Sequence, residues 1–233
     1  MKFLIVVALL FFKVVPASAG LWREQVAPVF YKATDDVSVY LWAGGIAAVL
    51  LVQPMDQHLQ DEWGHHHLMP ASQSQIGDRY ISYGGNIAIA LAQLGWDRDN
   101  GFNHVRALFF TTAITESLKL TVHQERPDHS DNYAFPSGHT SSAFATATSL
   151  AYAYGWKAGV PAYGMAVFTG LSRIADDKHW ASDVVAGAAL GMIWGRATFQ
   201  QKDTSLNAQS TRSSEFFPSY EYGFFSLNFS CGF

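Results

Sequence analysis

Three short polar clusters between Lys119 and Asp183 constrain this chain more than any other feature, because each sets polar or charged groups beside flanking sequence that is largely apolar. They read Lys119-x6-Arg126-Pro127, Pro136-Ser137-Gly138-His139 and Ser172-Arg173-x5-His179-x3-Asp183. Lys119 and Arg126 lie seven residues apart, so a helix ending at Pro127 would carry both cations on one face. His179 and Asp183 lie four apart, a spacing that on a helix lets the carboxylate reach one imidazole nitrogen and leaves the other to react. Ser137 and Gly138 precede a predicted helix start at Thr140 to Ala145, where unpaired N–H groups and the positive dipole end favour an anion. Three cations, two histidines, a hydroxyl, backbone donors and a carboxylate suit the binding and transfer of a phosphate. Each cluster alone is weak, since Arg-Pro ends many helices and a His four residues before an Asp is often a surface pair. Three buried cations near apolar helices without an anion would be costly, and that cost favours the joint reading.

Residues 1–19 have Lys2, an apolar run from Phe3 to Phe12 and Ala17-Ser18-Ala19, the layout of a cleavable secretory signal. An uncleaved anchor is the competing reading, against which stand the shortness of the run and the interrupting Lys13. A signal places the mature protein outside the cytoplasm, in the periplasm if the source is Gram-negative. Residues 20–199 then form one domain, and residues 200–233 a polar linker and an aromatic tail. A net charge of -4 without a long basic run argues against a nucleic-acid partner. The lone Cys231 forms no internal disulfide.

Apolar segments at Val39 to Val52, Tyr80 to Trp96, Ala107 to Thr115, Thr140 to Trp156, Ala158 to Leu171 and Val184 to Gly195 predict a helical core. A bilayer span needs about twenty apolar residues. These runs are shorter or diluted by polar residues, and the mean hydropathy is only +0.05. The sequence therefore predicts a soluble or peripherally attached domain, with an integral membrane enzyme as the alternative. Gly187, Gly191 and Gly195 recur every four residues and permit close helix contact in either setting. Asp56 to Arg79 reads as a polar loop holding His65-His66-His67, which is taken as solvated or as a substrate rim rather than a metal site. Asp176-Asp177-Lys178 reads as a solvated turn. In the tail, Leu227, Phe229, Cys231 and Phe233 alternate with polar or small residues, which predicts a strand.

The three clusters, complete and in order, resemble the K-x6-RP, PSGH and SR-x5-H-x3-D signature of the type 2 phosphatidic acid phosphatase superfamily. That group contains bacterial non-specific acid phosphatases, lipid phosphate phosphatases and vanadium-dependent haloperoxidases. The resemblance implies an all-α fold, a compact helical bundle of about six core helices, here with a short β segment at the C-terminus. It implies a phosphatase in which His179 attacks phosphorus, Asp183 holds its other nitrogen protonated, and His139 protonates the leaving oxygen. Lys119, Arg126, Ser137, Gly138 and Arg173 would surround the phosphoryl oxygens. Ser172 would position Arg173 or cap a helix. No metal and no cofactor are called for. The expected substrate is a phosphate ester, small or lipid, with membrane-surface contact in the lipid case. A vanadate-dependent haloperoxidase and a silent phosphate- or lipid-binding protein are the alternatives.

Overall fold

Asp35 starts the longest apolar helix by accepting the Ser38 N–H at 2.8 Å, satisfying one of the donors that a helix N-terminus leaves open. The computed structural model describes residues 23 and 26–200, the side chains of 79–83 excepted, and the backbone of 215–221 and 224–230. The predicted signal segment, most of the polar linker and Cys231 lie outside the described residues. The helices are α1 (Ala27–Ala33), α2 (Asp36–Val52), α3 (Asp56–Trp63), α4 (Ala71–Gln75), α5 (Asn86–Trp96), α6 (Arg98–Val122), α7 (Gly138–Tyr154), α8 (Trp156–Ala175) and α9 (Ala181–Thr198). A π-helical segment, Ile76–Gly85, joins α4 to α5. In the tail, β1 (Glu215–Glu221) pairs antiparallel with β2 (Phe224–Ser230), so the predicted strand is one arm of a hairpin.

The helical bundle is organised around α9, which packs on α7, α2, α6 and α1. Its apolar side buries Leu190 and Trp194 with Val29, Val105, Leu108 and Phe110. Phe110 stacks on Trp194 at 5.8 Å between ring centroids, and Phe30 meets both rings edge-on. Each such side chain contributes about 1.5–3 kcal/mol on burial. Arg196 closes the end of α9 against the α1–α2 corner, with Nη2 on Asp35 Oδ2 at 2.8 Å and Nη1 on Ser38 Oγ at 2.8 Å.

Two sequence expectations are corrected here. The stretch Asp56 to Arg79 is not a loop. It folds into α3, α4 and the start of the π segment, and α3 is tied down where Asp56 accepts both the N–H and the hydroxyl of Ser182 and Gln60 donates to the Ile174 carbonyl. These bonds are made to distant residues, so the local sequence carries no helical period to reveal them. The helix carrying Lys119 stops at Val122 rather than at Pro127, with His123 in the left-handed region (φ 53°) as its C-cap.

The core also holds a neutral histidine. His104 is fully buried, with Nδ1 2.5 Å from Gln93 Oε1 and Nε2 2.8 Å from Thr146 Oγ1, and burial pushes its pKa down to about 3. The folded state therefore resists a proton that the unfolded chain accepts near pH 6.5. This contribution is complete above pH 6.5 and is lost as pH falls toward 3, by roughly 4–5 kcal/mol in total. Urea unfolding across that range should show the loss, and His104→Gln should flatten the slope.

α2 differs from the other long helices in what covers it. Ser38 is its one buried residue, and Val39, Tyr40, Ile46, Leu50 and Leu51 are all more than half exposed. Continued through a 3₁₀ turn into α3, the helical stretch Asp36–Trp63 has 28 residues and is long and apolar enough to cross a membrane, yet 6% of its most apolar part is buried. The apolar run Val39 to Val52 is thus only part of a longer helical surface.

Candidate active site

The phosphate-type residues meet at one end of the bundle, where α6, α7, α8 and α9 bring their ends to a cavity of about 620 Å³. Lys119, Arg126, Gly138, His139, Arg173 and His179 line it. Ser137 and Asp183 stand behind the wall, fully buried. Ser137 Oγ accepts from Thr140 Oγ1 at 3.0 Å, and its N–H donates to the Asp183 carbonyl at 3.0 Å. Ser172 does not reach the cavity; its hydroxyl donates to the Thr169 carbonyl at 2.7 Å.

Each cation arrives by a different route. Lys119 comes from the last turn of α6, and its Nζ donates to the Tyr133 carbonyl at 2.5 Å. Burial, followed by the charge of Arg126, lowers its pKa to about 8. Arg126 sits in the loop beyond α6, off the helix, so the shared helical face expected with Lys119 is absent. Its guanidinium is steered by Asp131 Oδ1 at 2.7 Å and by the Lys178 carbonyl at 2.8 Å. Arg173, from the last turn of α8, has Nη1 on Asp78 at 2.6 Å and Nη2 on Asp176 at 2.8 Å, while its buried Nε has no protein partner.

His179 precedes α9 rather than lying on it. Nδ1 is 2.7 Å from the Ala134 carbonyl, an acceptor only, so Nδ1 carries the proton and Nε2 keeps its lone pair. Nε2 faces Arg126 Nη1 at 3.4 Å. Burial and the surrounding Lys119, Arg126, His139 and Arg173 push the imidazole pKa well below its ordinary value, which keeps it neutral. Asp183 Oδ2 lies 3.6 Å from Nδ1 and accepts the Trp180 N–H at 2.9 Å, capping α9. Its other oxygen is buried without a partner, and burial raises the carboxyl pKa to about 7. The Ala134 carbonyl, rather than Asp183, makes the close bond to the imidazole. Nothing in the His-x3-Asp spacing could reveal that acceptor, because it is a main-chain atom far away in sequence.

Further charged groups, outside the predicted site residues, frame the cavity. Asp78, Glu116, Asp131 and Lys178 line it, and Lys178 pairs with Asp128. The predicted solvated turn is tied down by its carboxylates: Asp176 pairs with Arg173, and Asp177 lies 2.7 Å from His65 Nδ1. His65 remains largely exposed at the outside of this turn. No group of three or more metal-ligating side chains occurs among the described residues.

The family model described as PAP2 superfamily matches residues 101–206, the span that carries every lining residue except Asp78. This span belongs to the type 2 phosphatidic acid phosphatase superfamily. It is similar to a lipid A 1-phosphatase of Porphyromonas gingivalis, 40% identical over 99 residues that make up 39% of this chain and 22% of that one. A lipid A 4'-phosphatase of Helicobacter pylori is 32% identical over 117 residues, 49% of this chain and 58% of the relative. The chain thus spans less than two thirds of these relatives. Among solved structures, Aquifex aeolicus LpxE superposes with a TM-score of 0.48 at 23% identity, covering 55% of this chain and 81% of the other.

Proposed function

We propose that the protein is a lipid phosphate phosphatase that works through a phosphohistidine on His179. The observation that carries the reading is the neutral His179, its Nε2 lone pair held toward a cavity walled by Lys119, Arg126 and Arg173. Nε2 attacks phosphorus, a P–N bond forms and the P–O bond to the leaving group breaks, while His139 delivers a proton to the departing oxygen. The imidazole becomes cationic as it is phosphorylated, and the buried carboxylate of Asp183 offsets that charge. Water then attacks phosphorus and gives its proton to His139, and the P–N bond breaks to restore neutral His179. Lys119, Arg126, Arg173 and the Gly138 N–H neutralise the equatorial oxygens in these steps, so the chain's own cations carry a role that a metal would otherwise fill.

Two features favour a lipid over a small ester. α2 leaves Val39, Tyr40, Ile46, Leu50 and Leu51 more than half exposed among the described residues, a surface suited to a membrane. The relatives over the matched span are named as lipid A phosphatases. The enzyme then works associated with a membrane, and a secretory signal at residues 1–19 would set it on the extracytoplasmic side.

The test is phosphate release in EDTA from lipid A and phosphatidic acid in mixed micelles, beside p-nitrophenyl phosphate. Lipid turnover exceeding that of the small ester by about tenfold or more is expected, because remote binding to the lipid contributes to the transition state. Release from the small ester alone would overturn the lipid reading, and no release from any of them would overturn the phosphatase reading.

A further inference from the structure

The carboxylate of Asp78 lies inside the cavity, outside all three sequence clusters and outside the span matched by the family model. Its Oδ1 is 3.1 Å from His139 Nε2 and 2.6 Å from Arg173 Nη1, so one oxygen bridges the imidazole and a guanidinium. The side chain is 38% exposed, and the exposure is toward the cavity it lines.

The placement is built rather than incidental. Asp78 sits on the π-helical segment, a distortion that often marks functional positions. The residue before it, Gly77, packs so closely on α8 that an added Cβ would lie 2.4 Å from Ser172 Oγ. Ser172 is in turn fully buried and locked by its bond to the Thr169 carbonyl. Ser172 therefore seats the π segment, and its neighbour Arg173 takes the carboxylate that the segment presents.

We propose that Asp78 is the positioning residue for His139: it accepts the Nε2–H, fixes the ring and favours the protonated imidazole over the neutral one. The two imidazoles of the site then have opposite partners for opposite tasks. His179 donates to a neutral carbonyl and stays neutral as nucleophile, whereas His139 donates to an anion that offsets part of what burial and the neighbouring cations take from its pKa. Asp78 is the carboxylate within hydrogen-bond reach of His139 among the described residues, and it works against two nearby cations. Arg173 from α8 and Lys119 from α6 are cations near it, and His179 adds repulsion whenever it is charged. Burial is the largest influence lowering the His139 pKa, and Asp78 is what raises it. Asp183, on α9, faces His179 instead.

This assignment rests on the phosphatase reading for its catalytic consequence but not for its physical content, so two measurements separate them. In ¹⁵N-histidine protein, the His139 resonance in Asp78→Asn should titrate at least about one pH unit lower than in the wild type, the shift expected when an opposite charge within hydrogen-bond reach is removed. An unmoved titration in a variant with wild-type circular dichroism would overturn the proposal whether or not the protein turns over. In kinetics, the high-pH limb of kcat/KM should move down by the same amount in Asp78→Asn, with kcat falling more than KM changes, and Asp78→Glu should restore part of the limb. A uniform loss at every pH would mark a merely structural residue and overturn the proposal. So would tighter phosphate binding with the limb unmoved, which would identify the carboxylate as an anion competing with substrate.

Discussion

Replacing His179 with alanine is expected to lower kcat by at least about 10⁴-fold, the scale on which removal of a covalent nucleophile acts. Stability should change little, since the imidazole makes its close bond to a single backbone carbonyl. Quenching wild-type turnover in alkali should trap an acid-labile phosphoryl group that His179→Ala lacks. Asp183→Asn is expected to be milder than its counterpart in a serine protease triad, where the amide reverses the tautomer and costs about 10⁴-fold. Here the Ala134 carbonyl at 2.7 Å sets the tautomer, with Asp183 3.6 Å away, and an asparagine oxygen would still cap Trp180. The loss should be about 10- to 10²-fold, carried by kcat, because what disappears is the counter-charge to the phosphorylated ring. A 10⁴-fold loss in Asp183→Asn would show that the carboxylate, not the carbonyl, controls the imidazole.

The difference between these two substitutions marks how far the sequence could be read. Lys119, Arg126, His139, Arg173 and His179 were all identifiable because side chains of fixed chemistry recur at fixed spacings, and they line one cavity. The partners that set their protonation were not identifiable. Ala134 and Tyr133 contribute through their carbonyls, which every residue has, and Asp78 reaches the site from an unrelated segment. Helix boundaries erred for a similar reason. Pro127 gave a reason to extend α6, but His123 adopts a left-handed conformation and ends the helix a full turn earlier, and no residue type demands this. The six apolar runs located α2, α5, α6, α7, α8 and α9, because apolar length and period are local properties, whereas α3 is tied down by hydrogen bonds to distant residues.

The glycine ladder of α9 shows what such a pattern means once its neighbour is known, and it leads to the second large effect. An added Cβ at Gly191 would lie 2.4 Å from the Ser141 carbonyl oxygen and 2.7 Å from the Ala145 nitrogen, both main-chain atoms of α7 that cannot rotate away. Gly191→Ala must therefore part the two helices, and overpacking against backbone should cost about 3 kcal/mol or more, lowering Tm by roughly 10 °C. Gly187 stands one turn nearer the site, where its Cβ would meet the Ser137 carbonyl oxygen at 2.6 Å. The displacement from Gly187→Ala would fall on the backbone that presents Gly138 and His139, so its signature should be a fall in kcat of about 10²-fold, the scale on which a misplaced catalytic group acts. Gly164 is the control, because open space surrounds the position where its Cβ would be built. Gly164→Ala should instead stabilise α8 by about 0.5–1 kcal/mol through helix propensity alone. One chemical change at three helical glycines thus gives three outcomes, decided by whether backbone, active-site backbone or open space lies opposite. Equal effects at Gly191 and Gly164 would mean that α7 and α9 do not cross at this distance.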